Sequence, residues 1–236
     1  MTAFVSELTG TAILLILGDG VVANVVLNKT KGNNGGLISI TLGWAMAVFV
    51  AVFISANASG AHLNPAVTLA LAMAGKFEWA LVPGSCLAQL LGAMLGAGIV
   101  WLAYRRHFDA TEDASTKLAV FCTSPSIRSN SDNFIAEVVA TAVFVLGVLF
   151  ITGPDQNLGS IKAIPVAFLV LAIGLSLGGP TGYAINPARD LGPRIMHALL
   201  PIKNKGNSDW GYAWLPVIAP MAGAALGALL FVYCLQ

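Results

Sequence analysis

Charged residues are scarce in this chain of 236 residues, since aspartate, glutamate, lysine and arginine together make up 10% of it. A soluble domain typically contains about 25% charged residues. Because 57% of the residues are hydrophobic as well, the composition argues against a soluble enzyme and favours an integral membrane protein. The formal net charge of +1 leaves no basic face for nucleic acid.

Cysteine pairs and nucleotide-binding motifs are also missing. Cys86, Cys122 and Cys234 lie far apart and form no CxxC pair, which argues against a disulfide framework or a metal site. The phosphate-binding pattern G-x-x-x-x-G-K-[ST] does not occur. No cleavable signal peptide is evident, because no lysine or arginine precedes Ala12 and the first apolar run is too long for a signal core. We therefore expect no metal, no cofactor and no catalytic residue.

Long apolar runs dominate what is present. A membrane-spanning helix needs roughly 20 apolar residues, and six stretches are long enough: about 4–27, 35–56, 81–104, 133–152, 161–179 and 212–235. Two shorter apolar stretches, about 64–74 and 186–200, are too short to span and fit half-helices in re-entrant loops. The predicted fold is an all-α membrane protein with six transmembrane helices and two re-entrant half-helices.

Both short stretches begin with the same triplet. Asn64-Pro65-Ala66 opens the first, and Asn186-Pro187-Ala188 opens the second. Asparagine caps free N–H groups at a helix start, and a proline just inside the helix has no N–H to cap. A single Asn-Pro often marks only a turn, but two near-identical copies in the two halves of a very apolar chain indicate a common site.

Other features repeat between the halves. Glu7 lies early in the first span, and Glu137 lies early in the fourth. Each half has three spans and one half-helix, and an odd number of spans forces the second half to be inserted upside down. This is the inverted repeat of many transport proteins, whose working site lies near the midplane between the halves. We predict a single channel domain over 1–236, with halves 1–104 and 133–236 joined by the loop 105–132.

Glycine pairs repeat in the same way. The third span carries Gly92 and Gly96, and the sixth carries Gly223 and Gly227. Spacing of this kind lets helix backbones approach closely in a membrane. We expect these glycines to serve packing only.

Two half-helices that enter from opposite faces bring their N-termini together at mid-membrane. Each N-terminus carries roughly half a positive elementary charge, so the pair should repel cations. Asn64 and Asn186 can each offer an amide donor to one passing oxygen, which interrupts a chain of hydrogen-bonded water. The non-helical loops before them should line a wet cavity with backbone carbonyls that accept hydrogen bonds. These loops comprise Gly60, Ala61, His62, Leu63, Gly182, Tyr183, Ala184 and Ile185.

Ionisable residues inside spans suggest function by default. Glu7 and Glu137 fit either a proton relay or a brace for an irregular loop, and their matched positions favour the brace. Asp19 lies deep in the first span and is expected to face a vestibule or the polar groups of a neighbouring helix. Arg189 follows the second triplet and should face water or solute. Guanidinium donors on one side of the mouth and an aromatic wall on the other suit a small polyol.

The motifs SGAHLNPAVT and NPARDLGPR resemble those of the aquaporin (major intrinsic protein) family, and the resemblance covers essentially the whole chain. Asp190, Arg194 and Pro216-Val217 resemble the glycerol-facilitator branch. By themselves, Asp190 and Arg194 have the spacing of an ion pair on one helix. The resemblance implies a homotetramer in a lipid bilayer with one pore per subunit.

The family's selectivity filter maps onto four positions by resemblance. Trp44 stands 20 residues before Asn64, and Gly174 stands 12 before Asn186. Tyr183 and Arg189 stand three residues before and three after Asn186. Glycine at 174 should leave an aperture wide enough for a carbon chain, where water channels have histidine. Tyr183 departs from the phenylalanine of better-known glycerol facilitators, and its hydroxyl would narrow the mouth or add a polar partner.

The resemblance also implies that both termini are cytoplasmic and that the protein lies in the cell membrane. The charge pattern predicts the opposite orientation, because only Lys76 and Lys162 lie in the loops that the family places inside. The loops placed outside contain Lys29, Lys31, Arg105, Arg106, Lys117, Arg128, Lys203 and Lys205. We follow the resemblance, because the rule gives most weight to short loops near the ends of spans.

The sequence therefore predicts a passive channel, not an enzyme, for glycerol, water and other small uncharged solutes, excluding ions and protons. Urea, dihydroxyacetone and hydrogen peroxide are further candidate solutes. One alternative is a proton- or ion-coupled secondary transporter of a small solute, which would use Glu7, Glu137 or Asp19. Another is a facilitator mainly of water or of undissociated small organic acids, and a third is a structural junction protein without flux.

Overall fold

Helices account for every regular element of the computed structural model, which describes residues 1–152 and 159–235. Nine α-helices occur in these ranges: α1 Ala3–Val26, α2 Gly36–Ser59, α3 Pro65–Met73, α4 Val82–Ala110, α5 Ala114–Phe121, α6 Asn130–Ile151, α7 Ala163–Leu177, α8 Pro187–Leu199 and α9 Leu215–Leu230. Single turns of other helix types adjoin them at Trp79–Leu81, Gly159–Lys162 and Phe231–Leu235.

Six of the helices, counted with their adjoining turns, are long and apolar enough to cross a membrane: α1, α2, α4, α6, α7 and α9. They coincide with the six predicted spans. The two short helices α3 and α8 begin at Pro65 and Pro187, where the sequence places the half-helices. The predicted fold class is confirmed, and the protein is an integral membrane protein that crosses the bilayer several times.

The two halves pack in the same way. Helix α1 packs against α2 and α4, and α6 packs against α7 and α9. The half-helices cross over, because α3 also packs on α9 of the second half and α8 packs on α4 of the first. Each half therefore supplies part of the wall around the other half's short helix, as expected for an inverted repeat.

Glycines permit the closest helix contacts. A β-carbon at Gly92 would lie 2.3 Å from the carbonyl oxygen of Leu8, and one at Gly223 would lie 2.5 Å from that of Val138. No side chain fits at either position without moving a helix. The matched glycines thus hold α1 against α4 and α6 against α9.

The segment between the halves is more ordered than a loop. The sequence analysis assigned 105–132 to a loop, whereas α4 continues to Ala110 and α5 occupies Ala114–Phe121. Asp113 caps α5 by accepting a hydrogen bond from the backbone N–H of Thr116 at 2.7 Å. Hydrogen bonds from Ser115 and Thr116 lower the pKa of Asp113 to about 2. The acidic cap before an apolar stretch was a helix start signal that the sequence analysis overlooked.

Large apolar side chains on the outer surface belong to the spanning helices. Ile38, Leu102, Ile135 and Phe168 are 60–72% exposed in the single chain. Contiguous apolar surface of this extent is unfavourable in water and matches the hydrocarbon of a bilayer.

Candidate functional site

The two loops before the half-helices adopt the same unusual backbone. Left-handed φ angles of 41–85° occur at three matching positions in each loop: Gly60, Ala61 and Leu63, and Gly182, Tyr183 and Ile185. Side-chain-bearing residues rarely adopt such angles, which cost about 1–3 kcal/mol each and persist only where the surroundings hold them. The contacts that hold these loops are therefore central to the site.

Glu7 holds the first loop. Its carboxylate is buried and accepts the backbone N–H groups of His62 at 2.9 Å and Leu63 at 2.7 Å. It also accepts the Ser59 hydroxyl at 2.6 Å and the side-chain amide of Gln89 at 2.8 Å. Four donors on one buried carboxylate compensate for its removal from water.

Glu137 holds the second loop in the matching way. It accepts the N–H groups of Ala184 at 2.9 Å and Ile185 at 3.0 Å, and the Thr181 hydroxyl at 2.6 Å. The N–H groups come from the same loop positions as those that Glu7 accepts. These contacts favour the brace over the proton relay for both glutamates.

The asparagines join the two loops to each other. The side-chain oxygen of Asn64 accepts the N–H of Ala66 at 2.8 Å, and that of Asn186 accepts the N–H of Ala188 at 3.0 Å. The amide nitrogen of Asn64 donates to Ile185 O at 2.8 Å, and that of Asn186 donates to Leu63 O at 2.9 Å. An amide NH₂ has two donors, so each asparagine keeps one N–H for the cavity that both residues line.

Arg189 lies over Trp44, with its guanidinium carbon 4.2 Å from the centre of the indole ring. The sequence analysis expected an aromatic wall on one side of the mouth and the guanidinium on the other. In the structure the cation instead stacks on the indole, a favourable contact between a positive charge and a π face. The stacked Trp44 ring itself lies against Gly18, where a β-carbon would be 2.3 Å from a ring atom.

Gly174 provides the space that Tyr183 occupies. A β-carbon at 174 would lie 3.0 Å from Cζ of Tyr183 and 2.4 Å from Cγ2 of Thr41. The Tyr183 hydroxyl is 3.5 Å from the Thr41 hydroxyl, so it is directed toward α2. The absence of a side chain at 174 therefore lets the Tyr183 ring pack against α7 and α2.

One cavity connects these groups. It measures about 800 Å³, counting space that is open to solvent, and runs from Trp44 and Arg189 past both asparagines to Thr152 and Lys162. We call its two ends the filter end, at Trp44 and Arg189, and the lysine end, at Thr152 and Lys162. Its apolar lining residues are Leu14, Val48, Val52, Val67, Leu71, Phe144, Val148, Val166 and Val170. The cavity is thus lined both by apolar side chains and by loop backbone and polar side chains.

Asp190 and Arg194 form a fully buried ion pair, not a surface pair. Asp190 accepts Nε of Arg194 at 2.8 Å and the N–H of Thr123 at 2.8 Å. Arg194 also donates to Thr123 O at 3.1 Å and to Ser208 O at 2.7 Å. The pair therefore fixes the segments around residues 123 and 208 to α8, next to the filter end.

Asp19 is fully buried, it does not line the cavity, and neither carboxylate oxygen has a hydrogen-bond partner in the described part of the chain. The charged side chains of Arg189 and Asp190 on the neighbouring helix α8 lie close enough to interact with it electrostatically. Of its two expected environments, the structure therefore agrees with the polar groups of a neighbouring helix.

Lys162 is a cavity residue that the sequence analysis considered only for its loop charge. It lies just before α7, and its ammonium donates to the carbonyl oxygen of Gly60 at 2.6 Å. The sequence signal that could have identified Lys162 as a cavity residue is its position directly before a long apolar run.

Comparisons with known proteins agree with this geometry. A family model described as "Major intrinsic protein" matches residues 1–231. The chain is 52% identical over 231 residues to a probable glycerol uptake facilitator protein of Thermotoga maritima, covering 98% of each chain. It is 56% identical over 225 residues to glycerol uptake facilitator protein 3 of Lactiplantibacillus plantarum, covering 95% of this chain and 93% of the relative. Among solved structures, the aquaglyceroporin from Plasmodium falciparum matches with a TM-score of 0.88 and 32% identity, over 98% of this chain and 95% of that one.

Proposed function

This chain belongs to the major intrinsic protein family, and from that premise we propose that it is a passive channel for glycerol and other small uncharged solutes. It also passes water and excludes ions and protons. The observation that carries the proposal is a cavity that is lined by both asparagines, by apolar side chains and by loop backbone. Relatives at about half identity over nearly the full chain are named glycerol uptake facilitators, and members of this family are transport proteins, not enzymes.

A cavity lined by both apolar and polar groups suits a polyol. In glycerol the carbon–hydrogen groups lie along one edge and the hydroxyls along the other, so the first can contact the valine- and leucine-rich wall while the second meet polar groups. No protein donor among the described residues reaches the carbonyl oxygens of four cavity-lining residues, Ala61, His62, Tyr183 and Ala184. These acceptors replace the water that a solute loses on entering, which lowers the cost of dehydration.

Ion exclusion follows from the charges around the cavity. Cations meet the guanidinium of Arg189 at the filter end and the positive N-termini of α3 and α8 at the asparagines. Proton conduction needs a continuous chain of water in which each molecule donates to the next. A central water whose oxygen accepts N–H groups from both Asn64 and Asn186 points its two hydrogens away from them. It can then accept no hydrogen bond from a neighbouring water, and the chain is interrupted.

Passive transport is favoured over coupled transport. A coupled transporter needs a titratable group on the solute path, and the three candidates were Glu7, Glu137 and Asp19. None of the three lines the cavity, and the two glutamates already accept backbone N–H groups.

Flux through the purified protein in liposomes tests the proposal. Stopped-flow light scattering should show protein-dependent glycerol and water fluxes that follow the concentration gradient alone. A conductance measurement on the same liposomes should give no protein-dependent ion current. Accumulation of glycerol against its gradient when a pH gradient is imposed would replace the channel with a coupled transporter.

Size and polarity are sieved at Trp44, Gly174, Tyr183 and Arg189. Changing Tyr183 to phenylalanine should leave glycerol flux within about twofold of wild type, because the hydroxyl is directed at Thr41 and makes only a long contact. Liposome flux of glycerol and water measures this. A complete loss of glycerol flux in a folded Tyr183→Phe variant would mean that the hydroxyl binds the solute.

The assembly we propose is a homotetramer in the cell membrane with one channel per subunit and both termini in the cytoplasm. The exposed apolar helix faces supply surface for contacts between subunits as well as for lipid. Native mass spectrometry in detergent measures the subunit count, and protease access to a C-terminal tag in sealed cells measures the orientation.

A further inference from the structure

The two halves of the inverted repeat differ in the hydrogen bonding of one loop carbonyl. Gly60 and Gly182 hold corresponding positions in the two loops, with φ angles of 85° and 82°. Gly60 O accepts the ammonium of Lys162 at 2.6 Å, whereas no donor among the described residues reaches Gly182 O. The difference arises at the N-caps of α2 and α7, where the first half has Gly35 and the second has Lys162.

Lys162 occupies an energetically unfavourable position. Positive charge is disfavoured at a helix N-terminus because the helix dipole is positive there, and Lys162 is the N-cap of α7. The side chain is also half-buried and lines the cavity. A backbone contact with Gly60 alone does not require a charge, since an amide side chain also donates.

The ammonium has more donors than the protein uses. It carries three N–H groups, and within the described residues its protein partner is Gly60 O. The two remaining N–H groups belong to a cavity that is lined near this end by loop carbonyls, by valines such as Val52 and Val166, and by the side chains of His62 and Thr152. A charged donor binds an acceptor oxygen more strongly than a neutral donor does.

We propose that Lys162 is a specificity-determining residue of the channel, a charged donor at the lysine end that binds an acceptor oxygen of the passing solute. The inference rests on the proposed channel function. The channel then has three donor sites: Arg189 at the filter end, the asparagine pair at the centre and Lys162 at the lysine end. Lys162 also occupies one of the two lone pairs of Gly60 O, so the lysine end favours solutes rich in acceptor oxygens over solutes rich in N–H donors.

Glycerol and urea distinguish these two classes. Each of the three glycerol hydroxyls accepts a hydrogen bond, whereas urea has one acceptor oxygen and four N–H donors. Replacing Lys162 by methionine removes the donor and frees a second lone pair of Gly60 O for the N–H groups of urea. The ratio of glycerol to urea permeability should therefore fall about fivefold, as expected for one net hydrogen bond.

A second lysine provides the matched control. Lys76 also donates to backbone carbonyls, those of Leu149 at 2.8 Å and Thr152 at 3.5 Å, and its own side chain does not line the cavity. Lys76→Met should leave the ratio of glycerol to urea permeability at the wild-type value. Lys162→Gln keeps a neutral donor and should lower the ratio by at least about twofold, less than methionine does.

The measurement is stopped-flow permeability of glycerol, urea and water in liposomes, with thermal unfolding of each variant as the check on folding. If the hydrogen bond between Lys162 and Gly60 were merely structural, its loss would lower the permeabilities of glycerol, urea and water by the same factor. An unchanged ratio of glycerol to urea permeability in Lys162→Met would therefore overturn the inference. If Lys162→Met does not fold, a wild-type ratio in Lys162→Gln overturns it instead. Failure of the proposed function would differ, because the wild-type protein itself would then pass no glycerol.

Discussion

Replacing Gly174 by histidine should reduce glycerol permeability at least about tenfold, equivalent to about 1.4 kcal/mol of added barrier, while water permeability falls much less. Any β-carbon at 174 collides with Cγ2 of Thr41 at 2.4 Å and approaches Cζ of Tyr183 at 3.0 Å. Thr41 is part of α2 and fully buried, so the Tyr183 ring is the group that moves. A Tyr183 ring displaced into the channel narrows the aperture, and we expect this to obstruct a carbon chain more than water.

Gly179 supplies the control for this experiment. It lies five residues further along, after the end of α7, and a β-carbon there meets no atom within 4 Å. Gly179→His adds the same imidazole outside the aperture and should conduct like wild type. Equal losses of glycerol and water flux in Gly174→His would contradict the assignment of Gly174 to the filter.

Removing the carboxylate of Glu137 should have the largest effect on stability. Glu137→Ala leaves the buried N–H groups of Ala184 and Ile185 and the Thr181 hydroxyl without the acceptor they now share. Each unsatisfied buried donor costs about 1–3 kcal/mol, so the total loss is about 3–9 kcal/mol. The loop also loses the contacts that hold the left-handed residues Tyr183 and Ile185. We expect loss of both glycerol and water flux and a strongly lowered unfolding temperature.

Glutamine at 137 distinguishes the brace from a proton relay. Its side-chain oxygen still accepts hydrogen bonds, so Glu137→Gln should retain part of the flux and stability, and Glu7→Gln should behave alike because Glu7 accepts the corresponding N–H groups. Thermal unfolding and flux with and without a pH gradient measure both variants. A glutamine variant that folds like wild type but loses a pH-driven component of glycerol flux would identify a relay.

The sequence correctly predicted the features that depend only on short segments of the chain. The six spans follow from apolar runs, and the two half-helices follow from Asn-Pro at their starts, because capping depends only on adjacent residues. The matched positions of Glu7 and Glu137 indicated the carboxylates that accept loop N–H groups, since an internal repeat is visible without coordinates.

The features that sequence missed depend on contacts between distant segments. Lys162 and Gly60 are 102 positions apart, and no local pattern relates them. The stacking of Arg189 on Trp44 depends on how α2 and α8 approach, so knowing both positions did not give their relative placement. Asp190 and Arg194 had the spacing of a surface pair, and only the packing of segments around residues 123 and 208 buries them.

The reciprocal bonds of the asparagines also restrict large-scale motion. Asn64 donates to Ile185 O and Asn186 donates to Leu63 O. Two hydrogen bonds therefore join the halves of the molecule at mid-membrane. A rocking cycle, in which a binding site opens first to one side and then to the other, would separate the halves at this point. It would break both hydrogen bonds, whose atoms are buried between the halves. The bonds therefore favour one conformation of the protein, and we expect solute to cross the channel without a conformational cycle.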